Sequence, residues 1–446
     1  MRVSVLGAGY VGLVTSAGLA ELGHDVVCVD VDEAKVDAIR SGGSPIHEPG
    51  LQAIVSRNLG TRLDATTDAQ SAVLDSDLTM IAVGTPQRNG DQDLDALRSA
   101  TTAIGDSLAD KDGYHVVVVK STVLPGTTDG IVREILGERS GREVGRELGL
   151  GMSPEFLTEG QALADFLSPD RIVLGGIDDK THAVLEELHA PLPAKVPRLR
   201  TNLATAEMIK YVSNALLATS ISFANEMANL CARLDDVDAV DVQRGVHLAR
   251  TLTPLGADGE GVRAPLASYL EAGTGFGGSC LPKDTTALAA FGERAGTSMR
   301  MLRAVLETNA QQPNELVRIV EEGLGHLDGA RIVLLGLAFK PDTDDVRETP
   351  TVPVAERLVA RGAEVTVHDP VVDRLPDGLA ALPGIALATD LGDAVRAADA
   401  VVIVTRWQEY ERLPDLLAGL DQPPLLVDGR RMLAAERVER YAGIGR

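Results

Sequence analysis

A short apolar run from Val3 to Leu6 opens the chain, followed by a glycine-punctuated turn and a helical pattern from Leu13 to Leu22. Gly23-His24 ends that helix, and Asp25 to Val29 reads as a second strand closed by Asp30. The same order returns at Leu78 to Val83 before Gly84-Thr85-Pro86, and at Val116 to Val119 before Lys120-Ser121-Thr122. Short apolar runs alternating with helical periods predict a parallel sheet built from βα units. From roughly Thr201 to Leu234 the pattern is helical, with neither Gly nor Pro. At 1.5 Å per residue that is about 50 Å, longer than a typical domain is wide, so this helix is expected to join two domains or two subunits. The helical pattern resumes after Asp284 and runs to about Leu324. A second α/β unit follows, with strands at Arg331–Leu335, Glu364–Pro370, Ala400–Thr405 and Pro424–Asp428 and a helix at Pro350–Arg361. The expected architecture is α/β: two Rossmann-like, doubly wound parallel-sheet domains (1–200 and 326–446) joined by a long central helix in a helical region (201–325).

Composition narrows the function classes. With 446 residues, the chain exceeds the size at which one hydrophobic core stops growing, which fits several domains. Its formal charge of −23 argues against a nucleic-acid or anionic-membrane partner, since both need a basic surface. No run approaches 18 uninterrupted apolar residues, so no spanning helix is expected. The first strand begins at once, so no signal peptide is expected, and three cysteines make no disulfide framework. A cytoplasmic location is expected. Cys28 lies in a strand-like run and Cys231 in a helix-like one, whereas Cys280 sits in a loop. Only eight of the 42 basic residues are lysines, and three of those (Lys210, Lys283 and Lys340) fall inside the motifs below.

Three motifs carry chemistry. Gly7-Ala8-Gly9-Tyr10-Val11-Gly12 lies between a strand and a helix, with Asp30 18 residues past the last glycine. This is a dinucleotide fingerprint, with the diphosphate on the helix N-terminus and the acid on a ribose 2′-hydroxyl. A carboxylate there would repel a 2′-phosphate, so NAD is expected rather than NADP. Thr85 and Thr122 follow strand ends and are candidates for cofactor contact, with capping of the next helix as the competing reading. On the central helix Lys210 and Asn214 are spaced i, i+4 and share a face. The third motif is Gly275-Phe276-Gly277-Gly278-Ser279-Cys280-Leu281-Pro282-Lys283-Asp284. A thiolate is a strong nucleophile where a positive charge and an open approach are near, and the glycines are expected to supply the approach. The second α/β unit starts with Gly336-Leu337-Ala338-Phe339-Lys340, which lacks the GxGxxG spacing.

Taken in order, the motifs resemble the UDP-glucose/GDP-mannose dehydrogenase family nearly end to end. The resemblance rests on the glycine motif, Val83-Gly84-Thr85-Pro86, Ser121-Thr122-Val123 and Ser153-Pro154-Glu155-Phe156-Leu157. It continues through Lys210 and Asn214, the cysteine loop, and Gly336 through Glu348. It implies NAD-dependent four-electron oxidation of a nucleotide sugar through a thiohemiacetal and a thioester on Cys280. UDP-glucose is the expected substrate; GDP-mannose, dTDP-glucose or a UDP-N-acetylhexosamine are alternatives, and a two-electron hydroxyacid dehydrogenase is a weaker one. In that scheme Lys210 and Asn214 stabilise the oxyanion, and Asp284 assists proton transfer or orients the hydrolytic water. Glu155, with Glu159 and Thr122, acts through water as base or positions substrate.

The resemblance also places Lys35, Glu155, Lys283 and Arg347 at the cofactor, so that Lys210 rather than Lys283 becomes the positive partner of the thiol. The substrate contacts it implies are Phe156, Leu157, Tyr269, Leu270, Gly273, Gly277, Phe339, Lys340 and Arg430. No metal is implied, and a homodimer or higher homo-oligomer is. One departure stands out. The family's arginine in an Arg-Ile-Gly-like stretch, which often serves the neighbouring subunit's substrate, is here the altered and shifted Arg263-Ala264-Pro265.

Overall fold

The structure is a computed structural model that describes residues 1–88 and 91–446. It divides into two compact units, Met1–Ser213 and Asn214–Arg446. The first is an eight-stranded sheet in the order 63–66, 25–29, 2–6, 78–81, 115–119, 148–152, 172–176, 198–201. The first six strands are parallel and follow the winding 3-2-1-4-5-6 of dinucleotide-binding sheets. Strand Ile172–Gly176 then runs antiparallel to its neighbour, so the sheet is mixed at this edge rather than wholly parallel. Strand His115–Val119 shows why the core forms: all five residues are buried. Val116 and Val118 pack on one face and Val117 and Val119 on the other, as a strand covered by helices on both sides requires.

In the second unit a six-stranded, all-parallel sheet is ordered 386–388, 364–368, 331–335, 400–403, 425–428, 441–443. It repeats the 3-2-1-4-5-6 winding. Two of its strands are only three residues long, too short to show a period in the sequence. The acid closing its second strand, Asp369, accepts the Leu337 and Ala338 amides at 2.7 and 3.0 Å, the Trp407 indole, and the Val371 and Val372 amides. That carboxylate is held by its own turn.

The central helix spans Leu203–Cys231, 29 residues or about 44 Å. It starts two residues later than the pattern suggests. Thr201 ends a strand, and the Asn202 side chain accepts the Thr205 amide at 2.8 Å, capping the helix. The stretch after Cys280 forms two helices, Leu281–Arg294 and Arg300–Leu324, broken where Gly296 and Met299 take positive φ. Among the described residues no helix is long and apolar enough to cross a membrane.

Candidate active site

In the first unit the glycine turn divides its labour by position. A Cβ on Gly12 would run into the Gly7 carbonyl, so this glycine lets helix and strand pack closely. A Cβ on Gly9 would meet nothing within 4 Å, leaving the helix N-terminus open to a phosphate. Helix Tyr10–Glu21 has no acid in its first turn to compete for that position. Asp30 accepts the Ala8 amide at 2.6 Å and pairs with Lys35 at 3.5 Å. The turn, the open helix end and the acid at the second strand's tip fit NAD, which supplies a hydride acceptor when bound. Val11 is half-buried at the start of that helix. Tyr10 donates its hydroxyl to the buried Glu48, which also accepts the Gly160 amide at 2.8 Å and the Leu163 amide at 3.3 Å. Glu48 ties the glycine turn to the segment carrying Glu159, a link across more than a hundred residues with no local sequence signal.

Thr85 and Thr122 meet each other rather than capping helices. The Thr85 hydroxyl donates to the Thr122 carbonyl at 2.7 Å, and Gln92 donates to the same carbonyl at 2.6 Å. Neither residue is the N-cap of a helix.

Glu155 and Lys210 form a buried ion pair at 2.7 Å, each side chain about 95% buried. The second oxygen of Glu155 accepts the Leu157 amide at 2.7 Å. Burial pushes the Glu155 carboxyl up, but Lys210, the Leu157 amide and Lys120 outweigh it and hold it below the usual carboxylate range. A carboxylate so held is a poor proton acceptor, so this geometry favours Glu155 as the holder of Lys210 over a role as general base. Phe156 stacks its ring under the Arg171 guanidinium at 3.9 Å.

In the second unit Cys280 is exposed and occupies the N-cap of helix Leu281–Arg294. The thiol closes the glycine loop, as expected, and this end of the loop is also a helix N-terminus, where the dipole stabilises a thiolate. Cys28 and Cys231 are buried, and burial pushes the Cys28 thiol up to about 11. The preceding glycines also need a different account from the one the sequence suggested. A Cβ on Gly277 would collide with the Glu348 carbonyl, and one on Gly278 with the Phe339 ring. They are required by close packing on the 339–350 segment, not as an open path to the sulfur.

Asp284 is fully buried in the first turn of the same helix. Its two oxygens take the Asn214 amide at 2.6 Å and the Lys283 ammonium at 2.5 Å. Asp284 therefore orients Asn214, and Lys283 faces Asp284.

The 269–273 segment is held by three side-chain amides that carried no motif. Gln243 accepts the Ala272 amide at 3.2 Å, Asn225 accepts the Gly273 amide at 2.7 Å, and Gln312 donates to the Gly273 carbonyl at 2.8 Å. Tyr269 and Leu270 are half-buried at the end of a short 3₁₀ turn. Arg430 packs against Gly273, where a Cβ would lie 2.8 Å from its guanidinium, and donates to the Thr274 hydroxyl at 3.4 Å. Burial and the neighbouring Arg406 lower the Arg430 guanidinium to about 10, still charged at neutral pH. Lys340 lies 5.8 Å from the Phe339 ring, and Arg347 is exposed and grips Asp345 through two nitrogens. Arg263 pairs within its own chain with Glu271, which also takes Arg406 at 3.1 Å.

Comparison with known proteins matches three family models to this chain. They are the NAD binding domain of the UDP-glucose/GDP-mannose dehydrogenase family over residues 1–193, its central domain over 204–311 and its UDP binding domain over 333–435. The chain is 42% identical to the UDP-glucose 6-dehydrogenase AglM of Haloferax volcanii, over 97% of both chains. It is 40% identical to the UDP-glucose 6-dehydrogenase TuaD of Bacillus subtilis, over 100% of this chain and 93% of that one. Among solved structures, a UDP-glucose dehydrogenase from Pyrobaculum islandicum superposes with a TM-score of 0.89 at 41% identity, covering 99% of this chain and 97% of that one. The chain belongs to the UDP-glucose/GDP-mannose dehydrogenase family.

Proposed function

We propose that this protein oxidises the C6 alcohol of UDP-glucose to the carboxylate of UDP-glucuronate, reducing two NAD. The observation that carries the reading is the exposed thiol of Cys280 at a helix N-terminus, one turn before the buried Asp284–Asn214 pair. A two-electron dehydrogenase has no use for such a nucleophile. NAD held by the Gly7–Gly12 turn and Asp30 would supply the hydride acceptor for both oxidations. Between the two, the Cys280 thiolate adds to C6 of the aldehyde, forming a carbon–sulfur bond and a thiohemiacetal. Loss of the second hydride leaves a thioester, and water then releases the carboxylate and restores the thiolate. Capturing the aldehyde covalently keeps it from escaping between oxidations.

Lys210 and Asn214 stabilise the oxygen as it gains charge, a task for a point charge and an amide donor. Glu155 holds Lys210 in place, and Asp284 holds Asn214. Arg430 and Lys340 suit the substrate diphosphate or sugar. Uridine is favoured over guanosine by the UDP-glucose 6-dehydrogenases the chain resembles. The working compartment in this reading is the cytoplasm.

The test is stoichiometry. Two NADH per UDP-glucose consumed are expected, with little or no release from GDP-mannose. One NADH per sugar nucleotide would replace this reading with a two-electron oxidation.

The same reading includes a homodimer. Leu216, Phe223 and Leu230 recur every seven residues on the central helix and are each more than half exposed. A stripe of large apolar side chains at that spacing is the seam of a helix pair. Phe223→Glu is expected to halve the mass seen by light scattering on a sizing column, with the melting temperature nearly unchanged. An unchanged mass, or a wild-type monomer, would rule out this seam.

A further inference from the structure

Lys120 stands just past strand His115–Val119, and although it carries a charge it is only 6% exposed. Its ammonium donates to the Ser153 carbonyl at 3.2 Å, its one side-chain hydrogen bond among the described residues. An ammonium has three donors, so this lysine is bound loosely for so buried a charge. It lines one pocket with Glu155, Phe156 and Leu157. Two ammonium groups therefore act on one buried carboxylate, Lys210 in contact with Glu155 and Lys120 in the same pocket, bonded two residues away at Ser153. The other charged or titratable groups around the pocket have partners of their own. Asp170 pairs with Arg171, Asp165 accepts the Thr158 amide, and His189 meets the Leu185 carbonyl.

An ion pair of one lysine and one carboxylate cannot serve an oxyanion without loss. When negative charge grows on the sugar oxygen beside Lys210, two anions compete for one cation. A buried carboxylate deprived of its cation costs several kcal/mol, and it takes up a proton instead. A second ammonium near Glu155 eases that conflict. We propose that Lys120 is a positioning residue whose charge keeps Glu155 anionic, and so keeps Lys210 in place, while Lys210 stabilises the oxyanion. The proposal rests on the role given to Lys210 above. It is consistent with the ionisation of Lys120. Burial and the nearby Lys210 bring that ammonium down to about 8, so it is mostly charged at neutral pH and loses its charge above it.

The test compares the wild-type holoenzyme with Lys120→Met, Lys120→Gln and Lys120→Arg from about pH 3 to about pH 9, so that the range below the ordinary glutamate value is covered, using UDP-glucose and NAD. Removing a nearby positive charge raises a carboxylate pKa. Glu155 then gains its proton at higher pH and releases Lys210. The acid limb of kcat is expected to move up by about one pH unit in the Met and Gln variants and to stay in place in the Arg variant. The dissociation constant for NAD, read by protein fluorescence, is expected to be unchanged in all three. A uniform loss at every pH with the limb unmoved would overturn the proposal. So would neutral variants that fail to fold while the arginine variant folds, because the ammonium would then serve only the fold. The acid fall in melting temperature should shift the same way, without any turnover. Should the wild type form no NADH from UDP-glucose, the functional reading fails while the melting curves still decide whether Lys120 holds Glu155 anionic.

Discussion

Replacing Cys280 with serine is expected to leave NAD binding intact and to cut formation of the sugar acid by roughly 10³-fold or more, as removal of a covalent nucleophile does. The structure separates this residue from the fold. Cys280 is exposed, its backbone carbonyl accepts the Asp284 amide at 2.8 Å as any N-cap residue's would, and its sulfur lies 3.5 Å from the Ser279 hydroxyl. A serine keeps the cap and the backbone bond, so the helix that carries Asp284 should persist. The hydroxyl is a far weaker nucleophile than a thiolate at neutral pH, and the aldehyde formed in the first oxidation goes uncaptured. The measurement is product analysis together with NADH release. NAD should still bind with its wild-type affinity, while UDP-glucuronate disappears from the products. Wild-type acid formation by the variant would end the covalent mechanism.

Lys210→Met should damage both stability and turnover. It leaves Glu155 buried with its main cation gone, a change worth about 3–5 kcal/mol for buried ion pairs. In a unit of this size that corresponds to a melting temperature lower by roughly 10 °C. The sign with pH follows from the direction of the Glu155 shift. Its carboxyl is lowered in the folded state, so the pair's contribution is present above the ordinary glutamate range. It is lost as pH falls through the folded value. The gap between wild type and variant should therefore be full at pH 7 and close on acidification below about pH 4. A double variant, Lys210→Met with Glu155→Met, is expected to recover most of the stability, since apolar replacement of both partners removes the unpaired charge. Turnover should not return, because the donor to the oxyanion is still missing, a loss of at least about a hundredfold. Equal melting curves for the wild type and the single variant would show that the pair is not buried as described.

Much of the fold was legible because its signals are local. A strand, a glycine turn, a helix and an acid at the next strand's tip lie within the first 30 residues, each fixed by backbone geometry that only certain residue types satisfy. The central helix was equally plain from its length without Gly or Pro. Its start was misplaced by two residues, because a single cap at Asn202 decides it. The three-residue strands 386–388 and 441–443 escaped notice for a simpler reason, being shorter than any period that could reveal them.

The side-chain types of the site were also legible, since Cys280, Lys210, Asn214, Asp284 and Glu155 each stand in a recognisable motif. What each does depends on partners distant in sequence. Lys283 reads as the thiol's activator by proximity and as a cofactor contact by resemblance, and the structure adds an ion pair of its ammonium with Asp284. The glycines before Cys280 read as an open approach, and instead they admit Phe339 and Glu348. Glu48 and the three amides around Gly273 left no mark in the sequence, and Lys120 showed only as the residue after a strand. Sequence alone thus determined the α/β class of both units and the cofactor type, because these follow from backbone conformation and side-chain chemistry at local positions. Only the tertiary structure decided which charge sits on which, because burial and hydrogen-bond partners come from residues tens to hundreds of positions apart.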